Sequence, residues 1–235
     1  MNGNSGDRAI DASSMDSRQL TLDWQGIDCV LLDLDGTLLD LNFDNHFWQE
    51  HVPLRYAEAH GMNQEAARDE LRARYHARAG TLDWYSVDFW ETELELDIMR
   101  LKEEVAHLIG IHPHVVDFLL AIRAAGKRVI LVTNAHHKSL TLKMGRTGLR
   151  GYFDDLVSSH EIGLPKENPE FWERLRARIP FDPVSTLLVD DNLTVLDSAR
   201  TYGISHLIAV RQPDTCQPPK DTGRYAAIRD FSDLL

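Results

Sequence analysis

The chain has 235 residues, 43% of them apolar, with 37 acids against 25 bases and a formal net charge of −12. A chain this long and apolar buries a full core, so disorder throughout is excluded, and its length suits one large domain or one domain carrying an insertion. The acidity repels nucleic-acid backbones and no long basic patch offsets it, which argues against polymeric DNA or RNA as a partner.

Residues 1–23 alternate small and polar types without period and read as a disordered tail. They lack the apolar stretch of a signal peptide, and no run in the chain approaches the roughly 18 apolar residues of a membrane span, so a cytoplasmic protein without a membrane partner is expected. The fold is expected to start near Trp24. Asp28–Asp33 is a short apolar run ending at an acid, the pattern of a strand buried on both faces. Cys29 within it reads as a small core residue, and its distance in sequence from Cys216 implies no disulfide framework.

From Leu41 to Gly110 no strand candidate appears, and helical spacing runs over Asn63–Ala79 and Ser86–Met99. Residues 41–110 therefore read as an inserted helical unit that leaves the core after the first strand and hangs over its carboxyl edge like a lid. Its aromatics, Phe47, Trp48, Trp84, Tyr85, Phe89 and Trp90, recur at helical spacing and read as the insert's own core rather than as a base-stacking shelf.

Beyond the insert, His112 and His114 flank Pro113 and read as a hydrated helix start rather than a metal clasp. Pro113 and Gly126 bracket a helix whose stripe is Val115, Val116, Leu119, Leu120 and Ile122. Arg128–Thr133 is a second strand, ending at Thr133-Asn134, and Asp155–Ser158 is a shorter candidate. Asn168-Pro169 opens a helix, with an asparagine cap and a proline at its first position. Thr186–Asp190 is another buried strand, ending at Asp190-Asp191; Gly203 closes the helix after it, and His206–Val210 is a further strand. The alternation predicts an α/β fold, a Rossmann-like parallel sheet with helices on both faces built from 24–40 and 111–235, whose ligand sits beyond the carboxyl ends of the strands. The polar residues fall at those ends.

The chemistry concentrates in Asp33-Leu-Asp35-Gly36-Thr37. Residues two apart in an extended strand end point the same way, so both carboxylates can face one small space. Two such acids repel, which becomes sensible when a divalent cation bridges one of them and the other donates a proton. Gly36 allows a sharp turn, and Thr37 offers a hydroxyl and an amide to a phosphate oxygen.

Asp-x-Asp-Gly-Thr after a buried strand resembles the first motif of the haloacid dehalogenase-like phosphatases. Val132-Thr133-Asn134 is similar to their second motif, Lys166 in Leu164-Pro-Lys166-Glu-Asn-Pro169 to the third, and Val189-Asp190-Asp191-Asn192 to the fourth. The resemblance covers the core from about Cys29 to Gly203, and the insert sits where family members carry a helical cap. It implies Asp33 as nucleophile forming an aspartyl-phosphate, Asp35 as general acid and base, Thr133 and Asn134 as holders of phosphate oxygens, and Lys166 as the cation beside Asp33. It also implies Mg2+, held by Asp33, the Asp35 carbonyl, Asp191 directly and Asp190 through water. The sequence departs from the family at Val195, where many members place a further acid; Asp197 is expected on a different helix face. The dehalogenases of the family need neither a metal nor the second acid, so Asp35 and the Asp190-Asp191 pair argue against that chemistry.

Leu38–Trp48, Thr81–Tyr85 and Thr133-Asn-Ala-His136 further resemble the bacterial purine nucleotidases of this family that act on GMP and IMP. This implies a small-molecule phosphate ester as partner, a purine mononucleotide, with Asn42, Asp44, Asn45, His46 and His136 as candidate specificity residues. The rival readings are a phosphatase for phosphoglycolate or a sugar phosphate, and a catalytically silent binding protein on the same fold.

Overall fold

A computed structural model describes residues 22–235. Of the tail expected over 1–23, Leu22 and Asp23 are described and both are engaged: Leu22 packs on the core, and the Asp23 carboxylate accepts from the Gln25 amide at 3.0 Å. The rest of that expectation lies outside the described residues.

The runs of branched residues become strands. Cys29–Leu32 (β1) is buried at every position, Arg128–Thr133 (β2) at all but its first, and Asp155–Ser158 (β3) at its last two. Thr186–Asp190 (β4) is buried throughout, His206–Val210 (β5) over its last three residues, and Ala226–Ile228 (β6) adds a strand too short to carry a readable period. Every pairing is parallel, in the order β3-β2-β1-β4-β5-β6. The chain steps outward from β1 to β3 and then crosses to the other side of β1 at β4, so a crevice opens where the carboxyl ends of β1 and β4 diverge. Leu32 lies opposite Leu131 on one side and Val189 on the other. The residue after it, Asp33, is thereby level with Val132 and Asp190.

Between β1 and β2 the chain forms Asn42–His46 (α1), a π turn over Phe47–His51, Val52–His60 (α2), Gln64–Arg78 (α3), Leu82–Tyr85 (α4), Val87–Leu94 (α5) and Ile98–Glu104 (α6). The single helix expected over Ser86–Met99 is two helices. Glu95 adopts a left-handed conformation, φ +53°, and the Asp97 carboxylate accepts from the Arg100 amide at 2.9 Å to start α6 afresh, a cap that apolar periodicity does not register. These helices pack around their own apolar cluster, including Phe43, Phe47, Leu71, Trp90 and Ile98.

The remaining helices are Val115–Ala124 (α7), His137–Thr147 (α8), Ser159–Ile162 (α9), Glu170–Arg178 (α10) and Leu193–Tyr202 (α11). The helix expected at Asn168-Pro169 begins at Glu170, whose amide bonds the Asn168 carboxamide at 3.0 Å. Alternate strand residues feed two cores. Val30, Leu32, Val129 and Leu131 pack on one side with Phe118 and Leu119, while Leu31, Ile130, Val132 and Leu188 pack on the other with Phe171 and Trp172. The expected hydrated helix start holds for His114, which is exposed, and fails for His112. His112 is buried and pairs through Nε2 with the Pro213 carbonyl at 3.1 Å; burial holds its imidazole below the ordinary range. Both cysteines are free, Cys29 buried and Cys216 exposed.

Candidate active site

Lys166 carries the geometry of the site. Its ammonium donates to Asp33 Oδ1 at 2.5 Å, Asp190 Oδ2 at 2.6 Å and the Val132 carbonyl at 3.1 Å, so three acceptors from three adjacent strand ends use its three hydrogens. Its loop is pinned from behind. The Lys166 amide donates to the Asn134 side chain at 3.0 Å, and the Lys166 carbonyl accepts from Ser198 Oγ at 2.5 Å, itself held by the Trp172 indole at 2.8 Å. Burial opposes the charge on Lys166, but Asp190 and Asp33 outweigh it and raise its proton affinity above the usual lysine range.

Carboxylate oxygens of Asp33, Asp190 and Asp191 lie within 4.8 Å of one another. Burial raises all three to about 6, each helped by a neighbouring acid and opposed by Lys166 or Lys220. Oxygen donors crowded this closely suit a hard divalent cation, whose charge offsets the repulsion. Asp190 engages both oxygens, one with Lys166 and one with the Asn192 amide at 2.9 Å. Asp191 is partnered at Oδ2 by Lys220 at 3.0 Å. This difference fits Asp191 as the more available ligand of the two. Val195, the departure from the family pattern, is buried and apolar, and Asp197 sits at the outer surface with Tyr225, Arg200 and Arg224.

Asp35 belongs to a second chain of charges. Lys143 on α8 donates to Asp35 Oδ1 and to Asp44 Oδ2, both at 2.6 Å, and Lys102 on α6 donates to Asp44 Oδ1 at 3.1 Å. Lys102 also lies over the Phe47 ring at 4.3 Å, a cation–π contact that helps a buried ammonium. Burial raises Asp35 to about 6, with Asp44 and Asp33 adding and Lys143 opposing; against burial, Lys143 and Lys102 lower Asp44 to about 2. Asp44 is a counter-ion between two lysines and lines the same cavity as Asp33 and Asp35.

The other expected residues divide. Thr133, Asn134, Asn45 and His136 line one cavity of about 840 Å³ with Asp33, Asp35, Lys166, Asp190 and Asp191. Asn42 and His46, one helical turn apart on α1, do not. Thr37 does not either: it is buried under the loop, where its hydroxyl accepts from the Asp191 amide at 3.1 Å. Thr133 Oγ1 accepts from the Ala135 amide at 3.0 Å, leaving its hydrogen to donate. The Asn134 carboxamide gives one hydrogen to Glu167 at 2.9 Å. Trp90 and Phe47 are buried in the insert's core and Trp48, Trp84 and Phe89 pack against it, as expected, while Trp48, Trp84 and Tyr85 also line the cavity. Tyr85 reaches across to donate to Glu167 at 2.5 Å, and Lys138 on α8 pairs with Asp88 and Glu91 of α5 at 2.6 and 3.0 Å, so the inserted helices are seated over the strand ends.

Sequence reasoning missed Lys143, Lys102, Lys220 and Glu167. Lys102 and Lys143 lie in helices and Lys220 and Glu167 in loops, and in neither setting does local sequence separate a charged side chain that packs inward from one that is solvated.

A family model for haloacid dehalogenase-like hydrolases matches residues 27–203. The chain is a haloacid dehalogenase-like hydrolase. The match takes in every motif residue above, while Lys220 and β6 of the hydrolase lie beyond it. The GMP/IMP nucleotidase YrfG of Escherichia coli is 37% identical over 92% of this hydrolase and 97% of its own length. A phosphoglycolate phosphatase of Nitrosospira multiformis is 30% identical, with 78% and 83% covered. Among solved structures, an HAD phosphatase from Thermococcus onnurineus superposes with a TM-score of 0.73 at 23% identity, covering 88% of the hydrolase and 96% of that chain.

Proposed function

We propose that this hydrolase is a magnesium-dependent phosphatase that releases phosphate from purine nucleoside 5′-monophosphates, GMP and IMP foremost. The observation that carries the reading is the meeting of Asp33, Asp190 and Asp191 within 4.8 Å, beside Lys166, in a cavity that also holds Asp35 and aromatic side chains. In this reading 41–110 form a cap domain over a core of 24–40 and 111–235.

Asp33 attacks phosphorus in line, and the bond from phosphorus to the ester oxygen breaks. Asp35 gives its proton to the departing 5′-oxygen, for which a carboxyl raised to about 6 by burial is suited. The nucleoside leaves. Asp35 then takes a proton from water, whose oxygen attacks phosphorus, and phosphate departs from a restored Asp33. Lys166 holds Asp33 in place and balances charge beside the phosphoryl group, while Thr133 and Asn134 donate to its oxygens. A magnesium ion held by Asp33, the Asp35 carbonyl and Asp191, with Asp190 behind, would neutralise phosphoryl oxygens and align them with the nucleophile.

The test compares phosphate release from GMP, IMP, AMP, phosphoglycolate and glucose 6-phosphate, with magnesium and with chelator. Asp33→Asn is expected to lower kcat by ~10³-fold or more. Wild-type activity in that variant refutes the nucleophile. A preference for phosphoglycolate or the sugar phosphate refutes the nucleotide reading, and release undiminished by chelator refutes the metal.

A further inference from the structure

Glu167 follows Lys166 in the loop that leads to α10; it is half-buried and does not line the central cavity. Its carboxylate collects donors from three separate parts of the chain. Oε2 accepts from the Asn134 carboxamide at 2.9 Å, while Oε1 accepts from the Tyr85 hydroxyl at 2.5 Å and from the Asn192 carboxamide at 3.2 Å. Asn134 follows β2, Asn192 caps α11 and Tyr85 ends α4 of the insert. Neutral donors bond a carboxylate more strongly than they bond a neutral acceptor, so one side chain ties three elements together.

The Asn134 carboxamide is fixed at both ends by this arrangement. The Lys166 amide only donates and faces the carboxamide oxygen at 3.0 Å; the Glu167 carboxylate only accepts and faces the nitrogen. The terminal torsion of an asparagine is otherwise broad and roughly two-fold, and a carboxamide turned over would exchange donor for acceptor on the side left free. Held as it is, Asn134 keeps one N–H to give, and it lines the cavity with Thr133, Lys166 and Asp33. Tyr85 lines that cavity too. Burial and the Glu167 charge raise its hydroxyl above the usual tyrosine range, so it stays a donor.

We infer that Glu167 is a positioning residue: it sets the Asn134 carboxamide so that the remaining N–H is presented to a phosphoryl oxygen, and Tyr85 ties the insert to the same carboxylate. The inference rests on the phosphatase part of the proposed function and not on the base. Glu167 acts through Asn134, since it does not itself line the cavity. Seating of the insert and orientation of a phosphate donor therefore depend on one side chain, which loses the Tyr85 hydroxyl whenever the insert moves off the strand ends.

The test measures kcat/KM for GMP and for p-nitrophenyl phosphate, with magnesium present, and calorimetric binding of inorganic phosphate. The proteins are the wild type, Glu167→Gln, Tyr85→Phe, Asn134→Ala and the pairwise combinations with Glu167→Gln. Loss of one charge-assisted hydrogen bond is expected to lower kcat/KM ~10-fold in Glu167→Gln, equally for both esters, and to weaken phosphate binding by a similar factor. In the Asn134→Ala background Glu167→Gln should change either quantity less than about twofold, because the group it orients is gone. Tyr85→Phe should likewise add less than about twofold to Glu167→Gln. A Glu167→Gln loss of the same size with and without Asn134, or a lowered Tm with kinetics and phosphate binding within about twofold of wild type, overturns the inference. Turnover of p-nitrophenyl phosphate without GMP removes the nucleotide and leaves the inference tested on the remaining ester. A wild type that releases phosphate from neither overturns the phosphatase reading and the inference with it.

Discussion

Gly36 and Asp191 occupy each other's space: a Cβ on residue 36 would lie 2.8 Å from Asp191 Cγ, and Gly36 also sits at φ +84°. The turn after Asp35 thus bends through glycine to let the acid from the end of β4 come up beside Asp33. Gly36→Ala should cost about 1–2 kcal/mol from the left-handed backbone alone. It should also push Asp191 aside, weakening magnesium binding more than tenfold. Thermal unfolding and calorimetric magnesium titration measure the two effects separately.

Lys166 holds two buried acids apart, so Lys166→Ala leaves Asp33 and Asp190 facing each other without a cation. Breaking a buried pair in this way costs about 3–5 kcal/mol. The loss should shrink at pH 5, where both carboxyls take up protons, and should shrink on adding magnesium at pH 7.5. Urea unfolding under the three conditions checks this; an equal loss in all of them contradicts the assigned charges.

Asp33, Asp190 and Asp191 each bind a proton more tightly in the folded protein, at about 6, than a free aspartate does, at about 3.9. In the metal-free protein their contribution to stability is full below pH 4 and lost as pH rises through 6, since the folded state holds protons that the unfolded chain has released. Magnesium requires the ionised forms, so its stabilising effect must grow over the same interval. Calorimetric Tm values with chelator and with magnesium at pH 5 and 7.5 should diverge at the higher pH.

Asp44 behaves oppositely. Lowered to about 2 by Lys143 and Lys102 against the pull of burial, it contributes stability above pH 4 that is lost as pH falls towards 2. Asp44→Asn should abolish that contribution and leave Lys102 buried without its carboxylate. It should also lower the proton affinity of Asp35, because the Asp44 charge raises it and Lys143 would then serve Asp35 alone. The alkaline limb of the kcat profile is expected to move to lower pH in this variant, and an unmoved limb would separate Asp44 from the acid–base step.

The strands and the acids at their ends were legible because a parallel strand buried on both faces must be apolar along its whole length. The first polar residue after such a run marks where the chain leaves the sheet, which is how Asp33, Thr133-Asn134 and Asp190-Asp191 stood out. Lys166 was legible only through its order after the other motifs. The break at Glu95 and the burial of His112 were not, since one depends on a single side-chain cap and the other on a carbonyl 101 residues away. The indoles Trp48 and Trp84 pack on the insert's core as their spacing suggests, and they also wall the cavity, a second role that spacing does not show.

What the sequence determined by itself was the alternation of elements and the chemical types at the strand tips, because both follow from local pattern and chain order. Only the tertiary structure decided which charges neutralise which. Lys143 meets Asp35 across 108 residues and Lys220 meets Asp191 across 29, pairings that no period encodes. The reason is that burial sets the strength of a charge interaction, and burial is a property of the packed whole.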